Sequence, residues 1–383
     1  MLKQEKKQRV IALITNHDDD VYCFRKELIE GMVSAGYKVI VSCPYGEKLD
    51  IMKDVQFVHE DVYIDRRGTN PISDFKLYLH YKGLMKKHRP DVVLTYTSKP
   101  NVYASLAAAG KGISYINNVT GLGSVLTKGK LMKSFVLFLY KMAFRKSGCV
   151  FFQNDTNMKM ALEQGLVKGD YKLIPGSGVN TKRFSMATYP EGGDGITGEK
   201  VVFNYIGRVL KEKGIDNYLE CARYIKERYP NTQFNVLGFV EPTQSEYVKL
   251  LGEMQEQGII VYHGQQKDVI PFIEKAHAII HPSVYGEGMS NVLLENASCA
   301  RVIITTDNPG CRETVIDNVS GYIYKGGNAK ELIAAVEGFL KLPNEDRIKM
   351  GLAGREHVSS NFDRDLVVKE YLNKIKELIE KGN

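Results

Sequence analysis

Tryptophan is absent from this chain, and no apolar run approaches the ~20 residues that cross a bilayer. The opening "MLKQEKKQRVIALIT" has only a short apolar stretch after its charged lead. It reads as a first buried strand rather than a signal peptide. No C-x-x-C pair occurs among the six cysteines, Cys23, Cys43, Cys149, Cys221, Cys299 and Cys311, and each lies in or beside an apolar segment. That excludes a disulfide framework and metal-ligand spacing, and it fits a reduced, cytoplasmic protein. No motif of a nucleic-acid reader is present, so nucleic acid is not the expected partner. The net charge of +7 then points to a nucleotide or an anionic membrane surface.

What is present is alternation. At 383 residues the chain suits two cores better than one. Short β-branched and aromatic runs recur: "RVIALIT", "YKVIVSCP", "DVVLTY", "SYINNVT", "CVFFQN" and "YKLIPG". Helix-period segments such as "FRKELIEGMVSAG" separate them. Continuous apolar strands alternating with helices predict a parallel sheet buried on both faces. The stretch "SMATYPEGGDGITGEK", 185–200, is rich in Gly and charge and shows no period, so it reads as a linker. The alternation restarts with "VVFNYIG", "QFNVLG", "IIVYHG", "AIIHPS", "VIITT" and "GYIYK". The expected class is α/β, with two Rossmann-like domains, 1–184 and 201–363, facing a central cleft. A final helix, 364–383, carries Leu366, Val367, Tyr371, Ile375 and Leu378 at helical spacing and is expected to pack back on the first domain.

The chemistry concentrates in "PSVYGEGMSNVLLENASC", 282–299. A strand ends before it, "VYGEGM" is a loop, and a helix starts at Ser290 or Asn291, either of which suits an N-cap. The first-turn amides and the positive helix end favour an anion at Met289–Asn291, with Gly286 and Gly288 allowing close backbone approach. Glu295 lies in the second turn, where a carboxylate can accept hydrogen bonds from a vicinal diol. Glu287, ahead of the phosphate position, suits a second diol. The plainer alternative is a solvated loop Glu and an exposed helical Glu. A second cluster, "YIGRVLKEKGIDNYL", puts Arg208 and Lys213 at a strand's carboxyl end before a helix. Two cations there can neutralise a diphosphate without a metal. Here the alternative is a pair of ordinary surface cations.

"GRVLKEKG" followed by "PSVYGEGMSNVLLENASCARVIITTDNPGCRETV" resembles the retaining, nucleotide-sugar-dependent glycosyltransferases of the GT-B fold with the E-x7-E motif. The branch is the one that builds capsule, O-antigen or lipid-linked glycans. The likeness covers most of the second half and is looser in the first, where it rests on "NNVTGLGS", "FFQND" and "IPGSGVN". It implies that Arg208 and Lys213 bind the diphosphate. Glu287 and the Gly288–Asn291 backbone, Met289 and Ser290 included, would hold donor sugar and phosphate, and Glu295 the ribose. Gln265 or Gln266 in "HGQQKDV" falls where the family holds the base. Arg208, Lys213 and Glu287 form the expected catalytic set. Two features depart from the family: "TNHDDDVYCF" replaces a glycine-rich loop, and "NNVTGLGS" lacks a histidine. Asn118, Thr120, Gly121 and Gly123 are therefore the expected acceptor wall. Asp18, Asp19 and Asp20 read as a solvated loop, and His59, His80, His88, His277 and His281 as structural or surface groups.

The resulting expectation is a retaining transferase that needs no metal or cofactor and moves a hexose or N-acetylhexosamine from a UDP-sugar. Its acceptor would be a glycan or a polyprenyl-diphosphate-linked saccharide. Rival readings are a sugar-nucleotide 2-epimerase and a silent nucleotide-sugar-binding subunit. The stretch 126–148, with Lys128, Lys130, Lys133, Lys141, Arg145 and Lys146 around "SFVLFLY", and the basic helix 75–89 suggest a peripheral seat on the inner leaflet. The apolar centre itself is expected to be buried.

Overall fold

A computed structural model describes residues 8–66, 68, 70–121 and 130–382. Gly123 and Lys128 lie outside the described residues, as does the side chain of Lys130. The chain divides into two compact units, Met1–Ser177 with Arg364–Asn383, and Gly178–Asp363.

The first unit is a seven-stranded sheet of order β3-β2-β1-β4-β5-β6-β7. Its strands are β1 Val10–Ile14, β2 Lys38–Ser42, β3 Val58–Glu60, β4 Val92–Tyr96, β5 Ser114–Val119, β6 Cys149–Phe152 and β7 Tyr171–Leu173. All pair in parallel. The helices are α1 Asp18–Ser34, α2 Glu47–Asp50, α3 Pro71–His88, α4 Ser98–Ala109, α5 Lys130–Phe144, α6 Asp155–Glu163 and, from the chain's end, α13 Arg364–Lys381. The central strands are buried throughout because helices cover both faces. α13 belongs here: Val367, Tyr371, Ile375 and Leu378 enter a core with Leu28, Ile29 and Leu94. Full burial of such side chains stabilises by about 1.5–3 kcal/mol each. Leu366, counted on that face from its spacing, is exposed.

β5 shows how a polar run enters a core. Successive side chains point to opposite faces. Asn117 donates to Ser105 Oγ at 2.6 Å and Thr95 Oγ1 at 2.9 Å on the α4 side. Asn118 donates to the Thr95 carbonyl and accepts from the Tyr371 hydroxyl of α13. Asn118 is 1% exposed, so its side chain is committed to the core and forms no acceptor wall, contrary to the reading of "NNVTGLGS".

The aspartates after β1 are not a solvated loop. They form the first turn of α1, capped by His17 Nδ1, which accepts from the Asp19 amide at 3.1 Å. Asp18 is buried and accepts from the Lys48 amide at the start of α2, while Asp20 accepts from Thr15. Carboxylates at a helix N-terminus are where the helix dipole favours them. α5 also departs from expectation. Tyr140, Ala143 and Phe144 are buried beside α4, but Phe135 and Phe138 are 56% and 57% exposed. The helix is apolar around its whole circumference, and α4 covers only one side.

The second unit is a six-stranded parallel sheet of order β10-β9-β8-β11-β12-β13. Its strands are β8 Val201–Ile206, β9 Thr232–Leu237, β10 Val261–Gly264, β11 Ala278–His281, β12 Val302–Thr306 and β13 Gly321–Tyr324. The helices are α7 Ile215–Arg228, α8 Glu246–Glu256, α9 Ile270–Lys275, α10 Asn291–Ser298, α11 Ala329–Leu340 and α12 Asn344–Asn361. Residues 185–200, read as a linker, lie inside this unit, and the division falls at 177/178 rather than after 184. The reason is a set of buried donors. Arg301 donates to the Thr188 carbonyl, Arg347 to that of Gly193 and His277 to that of Glu191. Burial pushes His277 down to about 4, which keeps its ring neutral in this role.

The Asn118–Tyr371 bond yields a prediction. Tyr371→Phe strands a buried acceptor and lowers stability by about 1–3 kcal/mol in urea unfolding. A shift below a few tenths of a kcal/mol would contradict it.

Candidate functional site

In the second sheet β8 and β11 are neighbours, yet the chain visits β9 and β10 between them. Their carboxyl ends therefore flank the point where the strand order reverses, the usual ligand position in such sheets. After β8 come Arg208, a 3-10 turn at Lys211–Lys213 and Gly214, before α7 starts. Gly214 has φ +75°, and a Cβ there would stand 1.8 Å from the Pro282 carbonyl oxygen. Only glycine lets this turn rest on the loop after β11. The Val284 amide donates to the Glu212 carbonyl at 3.0 Å, joining the same two loops.

A third loop closes on them. After β12, "DNPGC" presents the Pro309 carbonyl to the Glu287 amide and the Gly310 carbonyl to the Ser290 amide, both at 2.8 Å. Gly310, at φ +83°, again leaves no room for a Cβ, which would come within 2.8 Å of the Glu287 carbonyl oxygen. Sequence reasoning assigned nothing to this loop, although its Pro-Gly pair is a turn signal.

The charges are paired within this frame. Lys213 Nζ lies 2.7 Å from Glu287 Oε1, with both side chains about seven-eighths buried. His281, the last residue of β11, places Nε2 2.9 Å from the same oxygen and 3.3 Å from Ser290 Oγ. Burial alone would raise the Glu287 carboxyl. The Lys213 charge and the His281 hydrogen bond outweigh it and hold the group well below the usual carboxylate range. Burial likewise works against the Lys213 ammonium, and the Glu287 charge more than offsets it, so that group is raised. Arg208 is more exposed and pairs with buried Glu241, after β9, at 2.8 Å. Glu241 and His281 are both residues that sequence reasoning did not assign to the site.

α10 begins beside these charges. Ser290 occupies its N-cap position, but no side-chain hydrogen bond caps the helix, because the hydroxyl turns toward His281. Gly288 and Met289 are buried in the preceding loop, and Asn291 and Glu295 are half-buried on the helix. Gln265 is exposed after β10, whereas the Gln266 amide donates back to the His263 carbonyl. The structure thus brings Lys213, Glu287 and Ser290 into one cluster and gives Arg208 a separate partner. In the first unit, Thr120 and Gly121 are half-buried just beyond β5. Thr97, at the end of β4, takes φ +66°, a strained value for a β-branched residue.

Two groupings among the described residues bring three potential metal ligands within 4.8 Å: His281, Glu287 and Cys311, and His17, Asp18 and Asp19. In the first, the Lys213 ammonium already supplies a cation to Glu287, and burial pushes the Cys311 thiol up, favouring its protonated form. In the second, His17 Nδ1 and Asp18 accept backbone amides. Neither donor set is poised for a metal.

Residues 193–357 match the family model described as "Glycosyl transferases group 1", and residues 10–154 match "Glycosyl transferase 4-like". An N,N'-diacetylbacillosaminyl-diphospho-undecaprenol alpha-1,3-N-acetylgalactosaminyltransferase from Campylobacter jejuni is 24% identical over 94% of this chain and 97% of its own. The capsular polysaccharide biosynthesis glycosyltransferase CapM of Staphylococcus aureus is 25% identical over 80% and 81%. Among solved structures, Anabaena Alr3699/HepE in complex with UDP and glucose superposes with a TM-score of 0.78 at 14% identity, covering 97% of this chain and all of that one. A glycosyltransferase from Rickettsia africae gives a TM-score of 0.78 at 17% identity, covering 98% and 99%.

The buried pair predicts a pH signature. Glu287→Ala leaves Lys213 uncompensated and costs about 3–5 kcal/mol near neutrality. A carboxyl depressed by folding stabilises fully above its unfolded value of about 4.3 and progressively less below it. The gap between wild type and Glu287→Ala, read from denaturant midpoints, therefore narrows by about 1–2 kcal/mol between pH 6 and pH 3. A gap unchanged by acid would mean that Glu287 is not held ionised by its partners. Lys213 gives the opposite limb: its raised value supplies stability below about pH 10.4 that is lost as pH rises further.

Proposed function

We propose a specific transfer for this chain, which belongs to the glycosyltransferases of the GT-B fold. It moves a hexose or N-acetylhexosamine from a UDP-sugar to a glycan or polyprenyl-diphosphate-linked saccharide, with retention at the anomeric carbon. The observation that carries the reading is the charged cluster at the β8/β11 switch point, built from Lys213, Glu287 and the start of α10. The names of the Campylobacter and Staphylococcus relatives support lipid-linked or capsular glycan assembly, and the UDP in HepE supports uridine.

In this mechanism Arg208, Lys213 and the first turn of α10 receive the diphosphate. They stabilise the negative charge that grows as the sugar–phosphate bond breaks. Glu287 engages the sugar, and Glu295 accepts from the ribose hydroxyls. Glu287 is an unsuitable nucleophile, because its charge is already shared with an ammonium and an imidazole. The acceptor oxygen therefore attacks the anomeric carbon from the side the phosphate leaves. The acceptor's proton passes to the departing phosphate oxygen, and UDP is released. The cations on hand remove the requirement for a divalent metal.

A membrane seat on the first unit fits a lipid-linked acceptor. α3 exposes Ile72, Phe75 and Leu79 beside Lys76, Lys82 and Lys86. α5 exposes Met132, Phe135, Phe138 and Met142, with Lys141, Arg145 and Lys146 at its end. α4 packs between the two helices. Among the described residues no helix is long and apolar enough to cross a membrane, so this face rests on the bilayer.

Three measurements test the proposal. Glu295→Ala raises the donor KM at least about tenfold in a folded protein, since hydrogen bonds to a charged group are worth ~1.5–3 kcal/mol. An unchanged KM removes Glu295 from the ribose. Turnover of UDP-sugar with lipid-linked acceptor survives EDTA; inactivation reversed by Mn²⁺ overturns metal independence. Liposomes containing anionic lipid float the protein at low salt, and Phe135→Ser with Phe138→Ser weakens this, whereas equal indifference to all vesicles dismisses the membrane seat.

A further inference from the structure

His281 terminates β11 at the switch point, is 2% exposed, and has no place in the transfer scheme above. Its Nε2 faces Glu287 Oε1 at 2.9 Å. An ionised carboxylate accepts only, so Nε2 carries the hydrogen and donates it. Nδ1 is buried and has no hydrogen-bond partner. Protonating it would create a buried donor with nothing to receive it, so the ring serves as a neutral, Nε2–H tautomer. The strand end is itself fixed, because Thr305 Oγ1 donates to the His281 carbonyl at 2.9 Å. The ring is thus a rigid donor on a rigid strand.

Lys213 contacts the same carboxylate oxygen from a long, flexible stem. An ammonium on such a stem can follow Glu287 through several rotamers. An imidazole with two torsions cannot. It also reaches Ser290 Oγ at 3.3 Å, the residue that begins α10. One ring therefore touches both ends of the segment 287–290.

We propose that His281 is a positioning residue: through Nε2–H it fixes the Glu287 carboxylate and the 287–290 loop in the geometry that receives the donor sugar. The inference rests on the transfer reading for its kinetic consequence but not for its structural one. It assigns His281 no contact with substrate and no proton transfer.

The test compares His281→Leu, which keeps bulk and removes the donor, with His281→Gln, whose side-chain amide nitrogen reaches the place of Nε2. Hydrogen exchange of the Glu287 and Ser290 amides, measured on the unliganded protein, is the direct readout, since both amides bond to the loop after β12. In His281→Leu their exchange rises at least about tenfold, while in His281→Gln it stays within about threefold of wild type. Steady-state kinetics with UDP-sugar donors follow the same order: the donor KM rises at least about tenfold in His281→Leu, exceeds any fall in kcat, and is rescued by His281→Gln. Unchanged exchange in His281→Leu overturns the proposal, and so does equal damage in both variants, which would mark a purely packed histidine. Should wild type turn over no nucleotide-sugar, the transfer reading fails, and the exchange data alone decide the positioning role.

Discussion

One carboxylate oxygen, Oε1 of Glu287, meets both an ammonium and an imidazole inside the second unit. Its partners come from the ends of β8 and β11, and the Glu287 amide is held by the loop after β12. These three strands are adjacent in the sheet around the switch point. The apolar core aligns the strands but says nothing about where their loops go, because burial is non-directional. The charged contact supplies the missing direction. A buried ion pair is weak evidence for stability, since desolvation offsets much of its attraction. Its value here is geometric: it gathers three flexible connections around one anion-binding edge.

The alternation of strand and helix was legible because both sheet faces are covered, so each central strand is a continuous apolar run. β3 was not: three residues at a sheet edge, with Val58 exposed and its neighbours half-buried, leave almost no pattern. The segment 185–200 misled for a different reason. Its Gly-rich composition reads as loose chain, yet its carbonyls satisfy Arg301 and Arg347, which are essentially fully buried. Arginine in a sequence suggests surface, and only the fold shows these two turned inward. The aspartates at 18–20 were misplaced because the helix begins earlier than its apolar period.

Within the site, Lys213, Glu287 and the helix start were readable from residue type at strand-to-helix loops. Their mutual contact was not, since it joins loops far apart in sequence. His281 was passed over as a scattered histidine, although its place at the end of "AIIHPS", just ahead of the glycine-flanked Glu287, was the available signal. Glu241 follows β9 with no motif around it. It became visible only as the buried partner of Arg208. Both diphosphate candidates are thus held by carboxylates from this unit, and a donor phosphate must enter an arrangement already balanced in charge.

The two units show contrasting uses of buried polarity at the same topological position. In the first, Asn117, Asn118, Thr95, Asn101 and Tyr371 form a neutral network at the carboxyl ends of β4 and β5. Neutral groups paired in this way cost little to bury, and the network ties α13 to the sheet. In the second, the corresponding edge holds full charges, which are far more costly to desolvate. Cohesion alone would not select that arrangement, since an apolar or neutral substitute stabilises equally well. A charged edge gains its advantage when a multiply charged ligand arrives, because preset cations need no reorganisation as negative charge grows on the leaving phosphate. The difference between the two edges therefore places donor activation in the second unit, and leaves the first with the cohesive task and a basic, apolar face for its acceptor's surroundings.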